Sequence, residues 1–257
     1  MKVVILAGGY GTRLEEDTIT KPKPMVEIGG KPIIWHIMKI YSSFGYNDFI
    51  VLCGYKGYVL KEYFSNFYRY NYNCIIDLKN NKTTYPLSNM SENWKVTLID
   101  TGLATKTGGR IKRAEDIIGN ETFMLTYGDG LGNINIKKLL SFHRKRNNMI
   151  TITSARPKGR FGSLKINDRD QVLEFNEKPD EEDNWINAGF FVCEPQIFKY
   201  IDDDETTFER EPLIRLSKNN ELFTYKHNGF WKPMDTPKDK IELNEMWSSN
   251  NAKWKTW

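Results

Sequence analysis

Met1-Lys-Val-Val-Ile-Leu-Ala7 runs straight into Gly8-Gly-Tyr-Gly-Thr-Arg-Leu14, and Lys21-Pro-Lys-Pro24 follows a few residues later. The first segment is a short, unbroken apolar run with β-branched side chains, the pattern of a strand buried on both faces. Such a strand needs helices packed above and below it, so this opening already points to an α/β sheet. The glycines then allow bare backbone N–H groups to approach a ligand, and Arg13, Lys21 and Lys23 add positive charge. Strand, glycine turn and cations together point to phosphate.

The spacing within the turn excludes two familiar phosphate loops. Gly9 and Gly11 match the first two glycines of the dinucleotide fingerprint, but Leu14 stands where the third would be, and no Walker lysine follows. Alone, the loop reads equally well as a tight strand-to-helix turn with a surface arginine. Pro22 and Pro24 shift that balance. They restrict the backbone around Lys23, predicting an extended segment that presents a pre-set cation. Fixed positive charge of this kind stabilises charge developing in phosphoryl or nucleotidyl transfer.

Outward from this loop, strand and helix alternate. Helices are expected over Pro32–Phe44, Tyr58–Phe67, Arg110–Ile118 and Ile134–Arg146, and strands over Phe49–Cys53, Lys95–Asp100, Thr122–Tyr127 and Ile150–Ala155. The expected fold is a Rossmann-like, mainly parallel sheet flanked by helices, with ligands at the carboxyl ends of its strands. After residue 155 the pattern changes. Strands are expected over Gly162–Ile166, Gln171–Glu177, Ile186–Val192 and Leu222–His227, with helices at Phe198–Ile201, Glu211–Lys218 and Lys238–Trp247. The reading is one domain over residues 1–257, with a nucleotide-binding part in 1–155. Residues 156–257 form a β-rich sugar-binding part with a C-terminal helical segment. Lys79–Asn93 is polar and reads as a long loop, and Asp202–Glu205 as a solvated acidic turn.

Composition narrows the partners. The 37 Lys and Arg exceed the 33 Asp and Glu by 4, a surplus too small and dispersed for nucleic acid. No apolar stretch approaches a membrane-spanning length. The three cysteines form no CxxC pair, so neither a zinc site nor a disulfide framework is expected, and a cytoplasmic location fits. His36, His143 and His227 have no partners at metal or triad spacing and read as packing or surface residues.

Two carboxylates stand out. Asp129 lies between Gly128 and Gly130 at the end of a buried strand, where it can hold Mg²⁺ or close a turn. Asp235 follows Phe230-Trp-Lys-Pro-Met234 and precedes an expected helix, so it can share that metal or cap the helix. Lys178, in Glu177-Lys178-Pro179, is a candidate for a second phosphate, with a strand-end surface lysine as the simpler reading. Gly159-Arg-Phe-Gly162 is a compact turn carrying an arginine. Asn187-Ala-Gly189 places small residues on a strand where a ligand can come close.

Taken together, Leu6-Ala-Gly-Gly-Tyr-Gly-Thr-Arg-Leu14 and Lys21-Pro-Lys-Pro-Met25 resemble the signature of the sugar-phosphate nucleotidyltransferases. Several further segments resemble the cytidylyltransferase branch of that family. They are Met25-Val-Glu-Ile-Gly-Gly-Lys-Pro32, Thr107-Gly-Gly-Arg110, Thr126-Tyr-Gly-Asp-Gly130, Pro233-Met-Asp-Thr236 and Trp254-Lys-Thr-Trp257. The resemblance implies transfer of a cytidylyl group from CTP to glucose 1-phosphate, for deoxysugar or surface-polysaccharide precursors. Relatives using dTTP, UTP or a polyol phosphate are the alternative. It implies nucleotide contacts from Leu6, Ala7, Gly8, Gly9, Tyr10, Gly11, Thr12, Arg13, Lys23, Thr105, Arg110 and Gly128, with Arg13 and Lys23 catalytic. It implies sugar-phosphate contacts from Gly162, Glu177, Lys178 and Asn187, and Mg²⁺ shared by Asp129 and Asp235. It also implies a homo-oligomer, a hexamer.

Overall fold

The computed structural model describes residues 1–86, 92–157, 163–166, 171–176 and 185–257. Its centre is a seven-stranded sheet. The strands are β1 (Lys2–Ala7), β2 (Asp48–Cys53), β3 (Lys95–Asp100), β4 (Phe123–Tyr127), β5 (Ile150–Ala155), β6 (Ile186–Cys193) and β7 (Leu222–His227). Their spatial order is β7-β5-β6-β4-β1-β2-β3. β1 pairs in parallel with both β2 and β4, β2 with β3, and β5 with β7. β6 runs antiparallel to both of its neighbours. The expected mainly parallel α/β sheet is therefore what the chain forms. It crosses the division read at residue 155, because β6 and β7 join the same sheet.

The apolar run that opens the chain is buried on both faces. Val3, Ile5 and Ala7 pack on one side with Ile33, Ile34, Ile37 and Met38 of helix α1 (Ile33–Ser42). Val4 and Leu6 pack on the other with Ile111, Ala114, Ile118 and Phe208. Alternate side chains of one strand thus feed two cores, which is why the run carries no polar residue from Val3 to Ala7.

Connections run from β1 to β2 to β3 on one side, and β4 then enters on the other side of β1. In a doubly wound sheet that reversal opens a crevice at the carboxyl ends of the strands. It falls between Gly8, after β1, and Gly128, after β4, where the Gly128 N–H donates to Leu6 O at 3.0 Å. The short antiparallel pair Gly130–Gly132 with Trp231–Pro233 brings the late part of the chain to this point.

Several local expectations are corrected. Lys23 does not sit in an extended segment. Lys23–Met25 is a single 3₁₀ turn, closed by the Met25 N–H on Pro22 O and the Val26 N–H on Lys23 O. Pro24 lies inside the first turn, where its missing N–H costs nothing. Tyr58–Phe67 is not one helix but Gly57–Ser65 followed by Phe67–Asn71, with Asn66 leaving helical geometry between them. Arg110–Ile118 likewise divides into α2 (Thr107–Lys112) and the short Glu115–Ile118. Within Lys79–Asn93, Lys82–Thr84 pairs with Ile75–Asp77 as a hairpin. Its turn is closed by the Asn80 N–H on the Asp77 carboxylate, and Asn81 takes the left-handed conformation that asparagine tolerates. Among the described residues no helix is long and apolar enough to cross a membrane.

Candidate active site

A cleft of about 610 Å³ opens over the crevice. Leu6 through Arg13 form one wall, with Lys23, Thr105, Arg110, Gly128, Asp129, Asn187 and Asp235 completing it. Every described residue expected to contact the nucleotide, the metal or the sugar phosphate therefore lines a single space, whereas Lys21 lies outside it and pairs with Glu27. Gly162, Glu177 and Lys178 lie outside the described residues, as do Gly159, Arg160 and Phe161.

The centre of the cleft is an ion network. The Lys23 ammonium donates to Asp129 Oδ2 at 2.7 Å and to Asp235 Oδ1 at 2.6 Å. The second oxygen of Asp235 accepts from Arg13 Nη1 at 2.8 Å. The Lys23 side chain is only 11% exposed, whereas that of Arg13 is 70% exposed. The two carboxylates are more than one hundred residues apart in sequence. They meet because Trp231–Pro233 pairs with Gly130–Gly132 and the Met234 N–H donates to Asp129 O at 2.9 Å.

Asp235 does not cap the helix that follows. Thr236 does, accepting from the Asp239 N–H, while Asp239 Oδ2 accepts from the Thr236 N–H at 2.9 Å. This capping box fixes the start of helix α3, whose range is Pro237–Ser248, and leaves the Asp235 carboxylate for the cleft. Asp129 and Asp235 make an all-oxygen donor pair converging on one cation. That fits Mg²⁺, which takes one or two carboxylates beside phosphate oxygens and water.

Arg110 is placed differently from a freely reaching nucleotide ligand. Its guanidinium is buried and donates to Cys53 O, Thr101 Oγ1 and Gly102 O through Nη1, and to Leu103 O through Nη2. Burial lowers its pKa from the ordinary value. It packs against Gly8 of the loop after β1, and its hydrogen bonds tie the end of β2 to the loop after β3.

On the opposite side, a hydrogen-bonded chain escaped the sequence reading. Tyr127 OH donates to Glu209 Oε1 at 2.7 Å, and Thr107 Oγ1 donates to Glu209 Oε2 at 2.5 Å. Asn187 Nδ2 donates to Tyr127 OH at 3.2 Å, and Asn187 Oδ1 accepts from the Gly189 N–H. Burial and the Glu209 charge raise the Tyr127 pKa, so the phenol stays protonated. Trp231 Nε1 donates to Ala188 O at 2.8 Å and completes this wall. Thr107, Tyr127 and Trp231 lie in segments already conspicuous in the sequence, but Glu209 carries no local signal.

The family model described as nucleotidyl transferase matches residues 2–247. The chain belongs to the nucleotidyl transferase family. It is 50% identical, over the full length of both chains, to the glucose-1-phosphate cytidylyltransferase of Salmonella typhimurium. Over the same full coverage it is 46% identical to a probable glucose-1-phosphate cytidylyltransferase of Bacillus subtilis. Among solved structures it superposes on a putative glucose-1-phosphate thymidylyltransferase of Bacillus anthracis with a TM-score of 0.69. That match covers 100% of this chain and 97% of the other, at 19% identity, and shows the fold.

Proposed function

We propose that the chain transfers a cytidylyl group from CTP to glucose 1-phosphate, giving CDP-glucose and pyrophosphate. The observation that carries this is the convergence of Arg13, Lys23, Asp129 and Asp235 in the cleft beside the glycine loop. The full-length likeness to cytidylyltransferases supports the choice of base and sugar.

The nucleophile is a phosphate oxygen of the sugar phosphate. Its second pKa is about 6, so it is largely ionised at neutral pH and needs no general base. Among the described residues no histidine lines the cleft, in keeping with that. The work left to the protein is to align two anions and offset their repulsion. In this reading the loop from Leu6 to Arg13, with Thr105 and Gly128, holds the nucleotide. Arg13 and Lys23 offset charge on the triphosphate, and Arg110 keeps the loop in place. Asn187, with Gly162, Glu177 and Lys178, holds the sugar phosphate. Asp129 and Asp235 would hold Mg²⁺, which when bound neutralises phosphate charge and orients the triphosphate. The hexamer and a cytoplasmic location belong to the same proposal. Ile75, Ile76 and Leu78, exposed on one hairpin, are side chains that self-association would cover.

The test is pyrophosphate release measured across CTP, UTP, dTTP, GTP and ATP, each with glucose 1-phosphate and with a polyol phosphate. CTP with glucose 1-phosphate should exceed every other pair in kcat/KM by at least tenfold, about 1.4 kcal/mol of transition-state discrimination. A different dominant pair would replace the substrate assignment. Silence with all pairs would remove the transfer activity.

A further inference from the structure

We propose that Lys23 is a built-in counter-ion that stands in for the divalent cation while the site is empty. It gives up that place only when a triphosphate arrives. The proposal rests on Asp129 and Asp235 being the metal pair, as read above.

The geometry is specific. One ammonium lies 2.7 Å from an Asp129 oxygen and 2.6 Å from an Asp235 oxygen, and Arg13 takes the remaining Asp235 oxygen at 2.8 Å. A divalent cation bridging the same two oxygens cannot share that space with the ammonium, because both cations would be held at ligand distance from the same atoms. The network is also closed in charge, with two cations and two carboxylates. A free divalent ion would add two positive charges to a neutral site and strip Lys23 of both partners. A metal–triphosphate complex differs, because its net charge is negative. It supplies the carboxylates with a cation and the displaced Lys23 and Arg13 with phosphate oxygens in the same event.

The chain is built for such an exchange. The Lys23 backbone is fixed by its 3₁₀ turn between two prolines, so the ammonium moves by rotation of its own flexible stem. Arg13 is mostly exposed and swings without unpacking anything. Lys23 thus serves twice, as a counter-ion to the aspartates before binding and as a phosphate ligand afterwards. Metal and nucleotide affinities are then coupled, each raising the other by the same factor.

The experiment is Mn²⁺ binding followed by electron paramagnetic resonance, on the full chain, with and without α,β-methylene CTP. Without nucleotide, Lys23→Met should bind Mn²⁺ at least tenfold more tightly than wild type. Lys23→Arg, which keeps the charge, should remain weak. Adding Asp235→Asn to Lys23→Met should abolish the gain, placing it at this carboxylate pair. The analogue should tighten Mn²⁺ binding to wild type by more than it does for Lys23→Met. If Lys23→Met does not fold, Lys23→Gln carries the comparison. Equal Mn²⁺ affinity for wild type and Lys23→Met, or tight Mn²⁺ binding by nucleotide-free wild type, overturns the proposal. Neither result depends on which base is preferred, so it is separable from the pyrophosphate-release panel. Absence of Mn²⁺ binding in every protein with the analogue present overturns this proposal together with the metal reading.

Discussion

Gly8 and Gly54 both lie against the guanidinium of Arg110. A Cβ on Gly8 would fall 2.2 Å from Arg110 Nη1, and one on Gly54 2.3 Å from the same atom. Neither glycine needs a left-handed backbone here, so space is the reason for the residue type. The neighbouring atom is the end of a flexible side chain, yet it is held by hydrogen bonds to Cys53 O, Thr101 Oγ1 and Gly102 O. Gly8→Ala must break some of them and leave a buried charge underpartnered. Each hydrogen bond to a charged group contributes about 1.5–3 kcal/mol, so a loss of roughly 2 kcal/mol is expected in urea denaturation. An unchanged midpoint would mean that Arg110 finds other acceptors. At this scale the sequence shows that glycines, cations and two isolated carboxylates crowd a few short segments. It hides Arg110's supporting role, because that side chain's partners are mostly backbone carbonyls, which every residue possesses. The Lys23–aspartate pairing is equally hidden, since it spans more than one hundred residues.

The acidic run Asp202–Glu205 is the largely exposed turn expected of it, and it also carries a tertiary role that no local signal announces. It lies against the first turn of α2. Asp204 O accepts the Lys106 N–H, Thr206 O accepts the Gly108 N–H, and the Asp204 carboxylate pairs with Arg113. The orphan N–H groups of a short helix are thereby satisfied by a distant loop. Nothing local in sequence announces this, because the helix has no side-chain cap of its own. The same loop ends in Glu209, which joins Thr107 on α2 to Tyr127 on β4. Two hydroxyls donate to this carboxylate, and a glutamine has only one oxygen with which to receive them. Glu209→Gln preserves volume but forces one hydroxyl to reverse from donor to acceptor and send its proton elsewhere, loosening the Tyr127–Asn187 wall. A fall of about tenfold in kcat/KM is expected, about 1.4 kcal/mol, with KM for glucose 1-phosphate rising more than KM for CTP. Equal changes in both KM values would place Glu209 on the nucleotide side as well. The seven strands of the main sheet were legible to within a residue or two, most plainly β1, β2 and β4, where burial on both faces leaves an apolar run, whereas the short exposed hairpin strands Ile75–Asp77 and Lys82–Thr84 carry no such run. Helix breaks at Asn66 and at Arg113–Ala114 were not legible, because the apolar spacing continues through them.

Across the whole molecule, the two ends of the chain are joined through His36. This imidazole is fully buried. Its Nε2 lies 2.9 Å from Ile28 O, and Trp254 Nε1 donates to Nδ1 at 3.3 Å. Trp35, Trp247 and Trp257 lie around it, and Trp254 is itself fully buried. The terminal Trp254–Trp257 segment is thus part of the core that holds α1 and α3 together. In this arrangement His36 donates through Nε2 and accepts through Nδ1, so it must remain neutral. Burial lowers its pKa from 6.5 to about 4. In the unfolded chain the imidazole takes up a proton below its ordinary value, and in the folded chain only near pH 4. The unfolded state therefore binds more protons between those limits. His36 contributes no pH dependence above about 6.5, costs stability as pH falls from 6.5 towards 4, and adds no further loss below that. At one pKa unit per 1.36 kcal/mol, the contribution lost between pH 7 and pH 4.5 is about 2 kcal/mol. Carboxylates titrate in part of this window too, so the comparison must be differential. His36→Gln keeps a donor and an acceptor near the same positions without a titrating ring. Its stability should fall between pH 7 and pH 4.5 by about 2 kcal/mol less than that of wild type, measured by urea denaturation followed by tryptophan fluorescence. Identical falls for the two proteins would mean that the tryptophan-lined pocket opens to let His36 protonate without unfolding. In that case the C-terminal segment would detach in mild acid while the sheet stayed intact.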